Sequence, residues 1–254
     1  MSPSAIVEID ERFQGVPGVA LGGYVGGVLA NALAGAEVTL RRPVPLGRPL
    51  RYEVSSDAAA ALLDDRETLA SAKPQARLEL EIPAPVTFEE AVAASRRSLQ
   101  LSSEYRHPFP ACLVCGAGRA EGDGFRVFAG PVAGRELVAA PWTPHPAFAD
   151  SGGVVRAEFV WAVLDCPTIM ALVFASSPGA AERVVTGRLA VVRSGPVRCG
   201  ERHVIVGWSV GKQGRAFVTG GAIFAEGGRR LALAQHTLVP TTWGVPLGLD
   251  HWRA

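Results

Sequence analysis

Residues 20–31 read "ALGGYVGGVLAN", and 135 positions later residues 155–166 read "VRAEFVWAVLDC". Both stretches are apolar and long enough for a helix of three turns. The first contains the glycine pair Gly22 and Gly23 and no acid, whereas the second contains Asp165 and no glycine. Two segments of similar rhythm, each with half of a potential site, predict that the chain is an internal duplication.

The flanking residues repeat at the same spacing. Without a gap, the six residues of the first half that match the second are Phe13, Gly18, Val19, Val25, Val28 and Leu29, which fall on Phe148, Gly153, Val154, Val160, Val163 and Leu164. Further along, "PVPLG" at 43–47 matches "PVRCG" at 196–200, with 18 additional residues in the second copy. We therefore predict an N-terminal unit over 1–100, a connector over 101–122 and a C-terminal unit over 123–254.

The hydrophobic periodicity predicts the same order of elements in each unit. In the first unit, a strand at 4–13 precedes a helix at 24–35, strands at 36–42, 48–56, 67–73 and 76–82, and a helix at 87–101 that opens on the capping box Thr87–Glu90. The Ala-rich stretch at 57–65 separates two of these strands. In the second unit, strands at 124–130 and 135–142 precede a helix at 154–166 and strands at 188–194, 201–210, 215–227 and 229–239.

Gly26 and Gly27 lie inside the first predicted helix, where each costs about 1 kcal/mol relative to alanine. Such glycines indicate close packing, and we expect the helix to pack against a sheet where a β-carbon would clash. The fold class is α+β: each unit is one long helix buried against an antiparallel sheet. One such unit leaves the edge of its sheet and the flank of its helix exposed, and a second unit would cover them. Two copies in one chain can therefore form a pseudo-dimer.

The composition excludes several classes of function. Hydrophobic residues make up 48% of the chain, and 25 basic residues nearly balance 24 acidic ones without a basic patch, so we expect neither nucleic acid nor membrane as a partner. The first residues do not show the basic segment followed by an apolar one that is typical of a secretory signal. No stretch approaches the roughly 20 consecutive apolar residues that a membrane-spanning helix needs. Four cysteines do not make a disulfide scaffold. We expect a cytoplasmic protein.

Four stretches carry a resemblance to a known family: "FQGVPGVALGGYVGGVLA", "AEFVWAVLD" and the two "PVxxG" runs. With the order of elements, they resemble the hotdog-fold acyl-CoA thioesterase superfamily in its double-hotdog form, specifically the phenylacetate-degradation type. The resemblance implies two tandem hotdog units, each a long helix wrapped by an antiparallel sheet. It also implies an acyl-CoA or acyl-ACP partner, no cofactor beyond the coenzyme A of the substrate, and a possible homodimer of pseudo-dimers.

In that family the helix opens with His-Gly-Gly, and an acid or amide follows seven residues after the second glycine. Here Leu21 replaces the histidine and Ala30 replaces the acid, while the second copy has Arg156, Ala157 and Glu158 at the helix start and Asp165 at the acid position. Because family sites lie between two hotdogs, the resemblance implies one composite site from Gly22, Gly23 and Asp165. The pairing of Ala157 and Glu158 with Ala30 would be vestigial.

The chemistry of these residue types agrees with thioester hydrolysis. Unpaired amides at a glycine-headed helix start stabilise an oxyanion, so Gly22 and Gly23 are predicted donors. Asp165 would be the general base or the nucleophile. Gln14, Tyr24 and Asp150 are candidates for substrate binding. Asp165 also precedes Cys166 and Pro167. In that context an aspartate often has a purely structural role, in which it caps backbone amides.

Two further motifs point to other chemistry. "GWSVG" at 207–211 has the nucleophile-elbow pattern, but Ser209 lies within a predicted strand that continues to a hairpin, whereas an elbow leads into a helix. "CLVC" at 112–115 lies near His107, yet no second CxxC or histidine pair follows at the usual spacing. We expect two reduced cysteines in the connector and no metal.

The sequence thus predicts an acyl-CoA thioesterase-like protein for a fatty or aromatic acyl group. The first alternative is an acyl-CoA or acyl-ACP binding protein without turnover, which the absence of the family histidine at position 21 favours. The second is a hotdog hydratase or dehydratase. That reaction needs an Asp/His pair, and no histidine follows Asp165 until His203.

Overall fold

A twelve-stranded antiparallel sheet runs through both halves of the chain in the computed structural model, which describes residues 4–31, 33, 35–55, 59–177 and 179–253. The first half contributes the strands β1 (Ser4–Glu8), β2 (Gly35–Leu40), β3 (Pro49–Val54), β4 (Ala60–Asp64) and β5 (Glu67–Pro74). The second half contributes β6 (Gly130–Pro131), β7 (Leu137–Trp142), β8 (Arg183–Arg193), β9 (His203–Gln213), β10 (Ala216–Ala225), β11 (Arg230–Thr241) and β12 (Val245–Pro246).

The strand order is β1-β3-β4-β5-β2-β8-β11-β10-β9-β7-β6, and β12 pairs with β8. The two halves join where β2 pairs with β8, from Gly35 opposite Val192 to Thr39 opposite Arg188. The described residues form three α-helices, α1 (Gly22–Leu29), α2 (Phe88–Ser95) and α3 (Ala157–Ala175). The protein is therefore of the α+β class with an antiparallel sheet.

The loops before α1 and α3 make the same backbone hydrogen bonds. The N–H groups of Leu21 and Arg156 donate to the carbonyls of Phe13 and Phe148, and those of Ala20 and Val155 donate to Val44 and Val197. Gly18 and Gly153 both have φ near +75°, a conformation that favours glycine. Corresponding residues of the two halves are 135 positions apart when they precede or begin the helix, as Phe13 and Phe148 do. They are 153 positions apart when they follow it, as Val44 and Val197 do, and the sequence repeat has the same two spacings.

Gly26 and Gly27, the glycines inside α1, face α3 and not the sheet, which corrects the predicted packing partner. A β-carbon added at Gly26 would lie 2.7 Å from the Trp161 ring, and one at Gly27 would lie 2.3 Å from the Glu158 Cα. α1 also ends at Leu29, earlier than predicted. Ala32 and Ala34, at the end of the predicted helix, lie outside the described residues.

α3 is longer than predicted and is the central helix of the core. It continues past Asp165 and through Pro167 to Ala175, so Asp165 lies within the helix and does not cap its start. By length and composition α3 could cross a membrane, with a mean hydropathy of 1.7, although no such run was expected. The protein itself buries 83% of that apolar window, as is usual for the core helix of a folded domain.

Three strand predictions need correction. Residues 60–64, within the Ala-rich stretch predicted as a separator, form β4 between β3 and β5, and residues 56–58 lie outside the described residues. Residues 76–82 alternate as a strand would, and Leu78, Leu80 and Ile82 do pack on the core, but the segment joins no strand ladder. Of the strand predicted at 124–130, only Gly130 belongs to a strand.

α2 opens on the predicted capping box, in which Glu90 N–H donates to Thr87 Oγ1 and Thr87 N–H donates to the Glu90 carboxylate. Its buried alanines, Ala91 and Ala94, pack with Leu137 of β7 and Trp208 of β9. This helix, predicted as part of the N-terminal unit, therefore covers strands of the other half.

Candidate active site

The N-terminus of α1 and the middle of α3 meet at Asp165. The Gly23 N–H donates to Asp165 Oδ2 at 2.5 Å, across 142 positions of sequence. A β-carbon at Gly23 would lie 2.8 Å from the Trp161 carbonyl oxygen and 2.9 Å from the Asp165 Cβ, so this approach requires glycine. The structure thus brings together the two apolar segments at 20–31 and 155–166.

Asp165 is only 1% exposed. Burial raises its pKa from 3.8 to about 7, an effect that the hydrogen bonds from Gly23 and Thr186 oppose and the negative charge of Cys112 reinforces. A carboxyl group of this kind exchanges a proton readily near neutral pH, which is the property required of a general base.

Behind Asp165 lies a chain of three polar side chains that sequence reasoning did not identify. Thr186 of β8 is 2.9 Å from His236 Nε2, and Thr168 of α3 is 2.7 Å from His236 Nδ1. The Thr168 hydroxyl also lies 2.6 Å from the Asp165 carbonyl oxygen and 3.0 Å from that of Leu164. His236 is fully buried, which lowers its pKa to about 3 and keeps the ring neutral.

The hydrogen-bonded side chains Thr186, His236 and Thr168 have two self-consistent arrangements of their protons. When Asp165 is ionised, the Thr186 hydroxyl donates to the carboxylate, His236 Nε2–H donates to Thr186, and Thr168 donates to Nδ1. When Asp165 is protonated, each bond reverses, and Thr168 then donates to a helix carbonyl. The hydrogen bonds of these side chains can therefore be satisfied with Asp165 ionised or protonated while His236 stays neutral.

Asp165 and Thr186 line a cavity of about 380 Å³. Its wall is mostly apolar and includes Ile169 and Met170, which follow Asp165 on α3. Other apolar lining residues come from both halves of the chain: Val19, Leu40, Val184, Val239, Trp243 and Trp252. The exposed side chains of Arg41 and Arg42 also border the cavity; Arg42 pairs with Glu67 at 2.6 Å, so the excess positive charge there comes from Arg41. Such a cavity suits an apolar group joined to an anionic one.

Gly22 lines the cavity, and its N–H, in the first turn of α1, has no acceptor among the described residues. A β-carbon there would lie 3.0 Å from Thr186. The predicted pair of oxyanion donors is thus reduced to one in this structure, because the Gly23 N–H already binds Asp165.

At the other junction of the two helices, the N-terminus of α3 meets the end of α1. Aromatic rings and an ion pair fill this junction. The Tyr24 ring stacks on Phe13 at 4.1 Å and lies 5.9 Å from Phe159. Glu158 pairs with Arg156 at 3.2 Å. Ala157 begins α3, and Ala30 is buried without a polar side chain.

The candidates for substrate binding lie outside the lining of the Asp165 cavity. Tyr24 is packed among rings, and burial raises its pKa to about 12. Gln14 accepts a hydrogen bond from Leu113 N–H at its carbonyl. The exposed Asp150 carboxylate accepts the N–H groups of Gly152 and Val154 in its own loop. A ligand confined to this cavity would not touch these three residues.

The segment predicted as a connector is part of the cavity wall. His107, Phe109, Cys112 and Cys115 all line it, and none of them was predicted as a site residue. Cys166, next to Asp165 on α3, joins the same cluster. Only the CxxC spacing in the sequence indicated this arrangement, because the third cysteine comes from a distant element.

The GWSVG motif does not form a nucleophile elbow. Ser209 lies in the β9 ladder opposite Thr219, and no helix follows.

Solved structures of thioesterases share this architecture. A TesB protein of Mycobacterium avium subsp. paratuberculosis matches with a TM-score of 0.61 at 14% identity, over 94% of this chain and 93% of its own. Acyl-CoA thioesterase II TesB2 of Mycobacterium marinum matches with a TM-score of 0.59 at 12% identity, over 94% and 93%. This chain has a hotdog-type fold like that of these two structures. No protein-family model and no curated protein matches its sequence.

The hotdog-type fold accounts for the antiparallel sheet and for the two helices that meet at its centre. At 12–14% identity it does not assign a reaction, since one fold supports many chemistries. The function must therefore be argued from the cavity and the side chains around it.

Proposed function

We propose that this protein is a double-hotdog acyl-CoA thioesterase that hydrolyses a fatty or aromatic acyl thioester at the Asp165 cavity. The observation that carries the proposal is the hydrogen bond between Gly23 of α1 and the buried carboxylate of Asp165, at an apolar cavity bordered by arginines. The names of the structural neighbours, TesB protein and acyl-CoA thioesterase II, agree with this reaction class. The repeated loop hydrogen bonds support the tandem arrangement of two hotdog units.

The acyl group would lie against the apolar wall of the cavity, with the thioester carbonyl oxygen toward the free N–H of Gly22. That amide stabilises the negative charge that develops on this oxygen when water attacks the carbonyl carbon. Arg41 and Arg42 would attract the phosphates of coenzyme A at the edge of the cavity.

Asp165 would accept a proton from the attacking water as the carbon–oxygen bond forms. When the carbon–sulfur bond breaks, the same carboxyl group returns the proton to the leaving thiolate, which gives the free acid and the coenzyme A thiol. Thr186 is a positioning residue for this carboxylate. His236 lies behind it, is hydrogen-bonded to Thr186, and stays neutral throughout.

A thiol-release assay on a panel of acyl-CoA esters tests the proposal. We expect time-dependent release of coenzyme A from medium-chain, long-chain or aromatic esters, and slower release from the matching N-acetylcysteamine thioesters, which lack the phosphates. If acyl-CoA binds without release, the protein is the non-catalytic binder that the buried, apolar Leu21 favours. If enoyl-CoA is instead hydrated with its thioester intact, the hydratase alternative holds.

Thr186→Val is expected to lower kcat about 10²-fold with little change in KM, because the carboxylate loses the hydroxyl that orients it while the apolar cavity keeps its shape. Steady-state kinetics on the best substrate of the panel measure this. Thr186→Ser is the matched control, since it keeps the hydroxyl, and its kcat should stay within about tenfold of wild type. Equal rates for the valine and serine variants would contradict a positioning role for Thr186.

A further inference from the structure

Three thiols from two distant parts of the chain meet beside the Asp165 cavity. Cys112 and Cys115 come from the segment at 101–122, and Cys166 comes from the middle of α3. Their sulfur atoms all lie within 4.8 Å of one another, and Cys112 Sγ is 3.6 Å from Cys166 Sγ. All three side chains are buried. The fourth cysteine, Cys199, is half-exposed and lies outside this cluster.

These distances agree with ligation of a single cation. In a tetrahedral zinc site with Zn–S bonds of about 2.3 Å, two sulfur ligands lie about 3.8 Å apart. The Cys112–Cys166 distance is close to this value, so a cation would fit between the thiols with small movements of the side chains. Thiolate sulfur is the donor type that selects zinc over magnesium or calcium.

The backbone around Cys112 favours a metal-binding turn. Gly116 N–H donates to the Cys112 carbonyl at 3.0 Å, which closes a turn over residues 112–116. A β-carbon at Gly116 would lie 2.4 Å from that carbonyl oxygen, so the turn requires glycine. The turn thus holds the sulfur atoms of Cys112 and Cys115 within 4.8 Å of each other, as two ligands of one cation require.

His107 stands beside the cluster as a hydrogen-bond donor. Its Nδ1 accepts the N–H of Phe109 at 2.8 Å, so the proton of the neutral ring is on Nε2, which lies 3.2 Å from Cys115 Sγ. An N–H directed at a metal-bound sulfur is a common outer contact of thiolate sites. Three thiolates then leave one coordination position, on the side of the cavity that these residues line.

We propose that Cys112, Cys115 and Cys166 bind one zinc-class cation, with a solvent molecule from the cavity as the fourth ligand. The cation would fasten the 101–122 segment to α3 next to Asp165. The expectation that the chain holds no metal depended on sequence spacing alone, and spacing could not reveal the contribution of Cys166. The proposal is independent of thioester hydrolysis.

Metal analysis of the reduced protein, purified without chelators, tests the site directly. We expect about one zinc per chain. Replacement by Co²⁺ should give the intense near-ultraviolet band of sulfur-to-cobalt charge transfer, together with the visible bands of a tetrahedral site. Cys112→Ser and Cys166→Ser should each lower the metal content and weaken the charge-transfer band. Cys199→Ser, the matched control, should leave both unchanged.

The wild-type cobalt spectrum keeps the test decisive even if a serine variant fails to fold, because the band intensity reports the number of thiolates. Absence of stoichiometric zinc or cobalt in the reduced wild-type protein would overturn the proposal. So would a charge-transfer band that survives unchanged in folded Cys112→Ser and Cys166→Ser. Neither readout uses hydrolysis, so an inactive protein that binds the metal would still support the site.

Discussion

Asp165→Asn is expected to lower kcat for acyl-CoA hydrolysis about 10³-fold, because the amide cannot accept the proton of the attacking water. The amide oxygen can still accept the Gly23 N–H, so α1 and α3 should remain in contact. Stopped or continuous thiol-release assays measure kcat, and circular dichroism and thermal melting confirm that the variant is folded.

Glu158→Gln is the control for Asp165→Asn, since it removes a carboxylate from the same helix. Glu158 lies in the first turn of α3, away from the cavity, and pairs with Arg156. We expect its kcat to stay within about twofold of wild type, as for a charge outside the reacting groups. Turnover by folded Asp165→Asn at the rate of Glu158→Gln would remove Asp165 from the mechanism.

Gly27→Ala is expected to lower the free energy of unfolding by about 3 kcal/mol. In an open helix position the same change would stabilise by about 1 kcal/mol. Here the added methyl group would lie 2.3 Å from the Glu158 Cα, and backbone cannot move aside as a flexible side chain can. The clash therefore outweighs the gain in helix propensity.

Urea denaturation of Gly27→Ala and of Gly227→Ala compares this site with one where an added β-carbon meets nothing within 4 Å. Gly227→Ala should change the free energy of unfolding by less than about 0.5 kcal/mol. If Gly27→Ala is as stable as wild type, the close packing of α1 on α3 is wrong. A folded but weakly active Gly27→Ala would indicate that the separation of the helices disturbs the Gly23–Asp165 contact.

The meeting of Gly23 with Asp165 was expected from the resemblance to hotdog thioesterases, whose sites lie between two units, because each of the two apolar segments has one half of the pair. Thr186 and His236 could not be found in this way. No motif marks either residue on its strand, and only the pairing of β8 with β11 brings them together. The connector cysteines were weighed as a metal site and set aside, because the third thiol, Cys166, is 51 positions from Cys115 in sequence.

The errors in the fold have physical causes as well. β4 is hidden in an Ala-rich stretch with weak strand propensity, and its place between β3 and β5 determines its conformation. Residues 76–82 show the opposite case, in which alternation reflects packing on a core without any strand partner. α3 passes through Pro167, although proline usually ends a helix, because the surrounding core buries this part of it.

The hydrogen bond from Gly23 to Asp165 also has an evolutionary consequence. A homodimer built from the first half alone would have two glycine-headed helices and no carboxylate, and one built from the second half alone would have two carboxylates and no glycine to receive them. Neither half alone could therefore form this contact with a second copy of itself, so selection on the Gly23–Asp165 contact must act on both halves of the chain together.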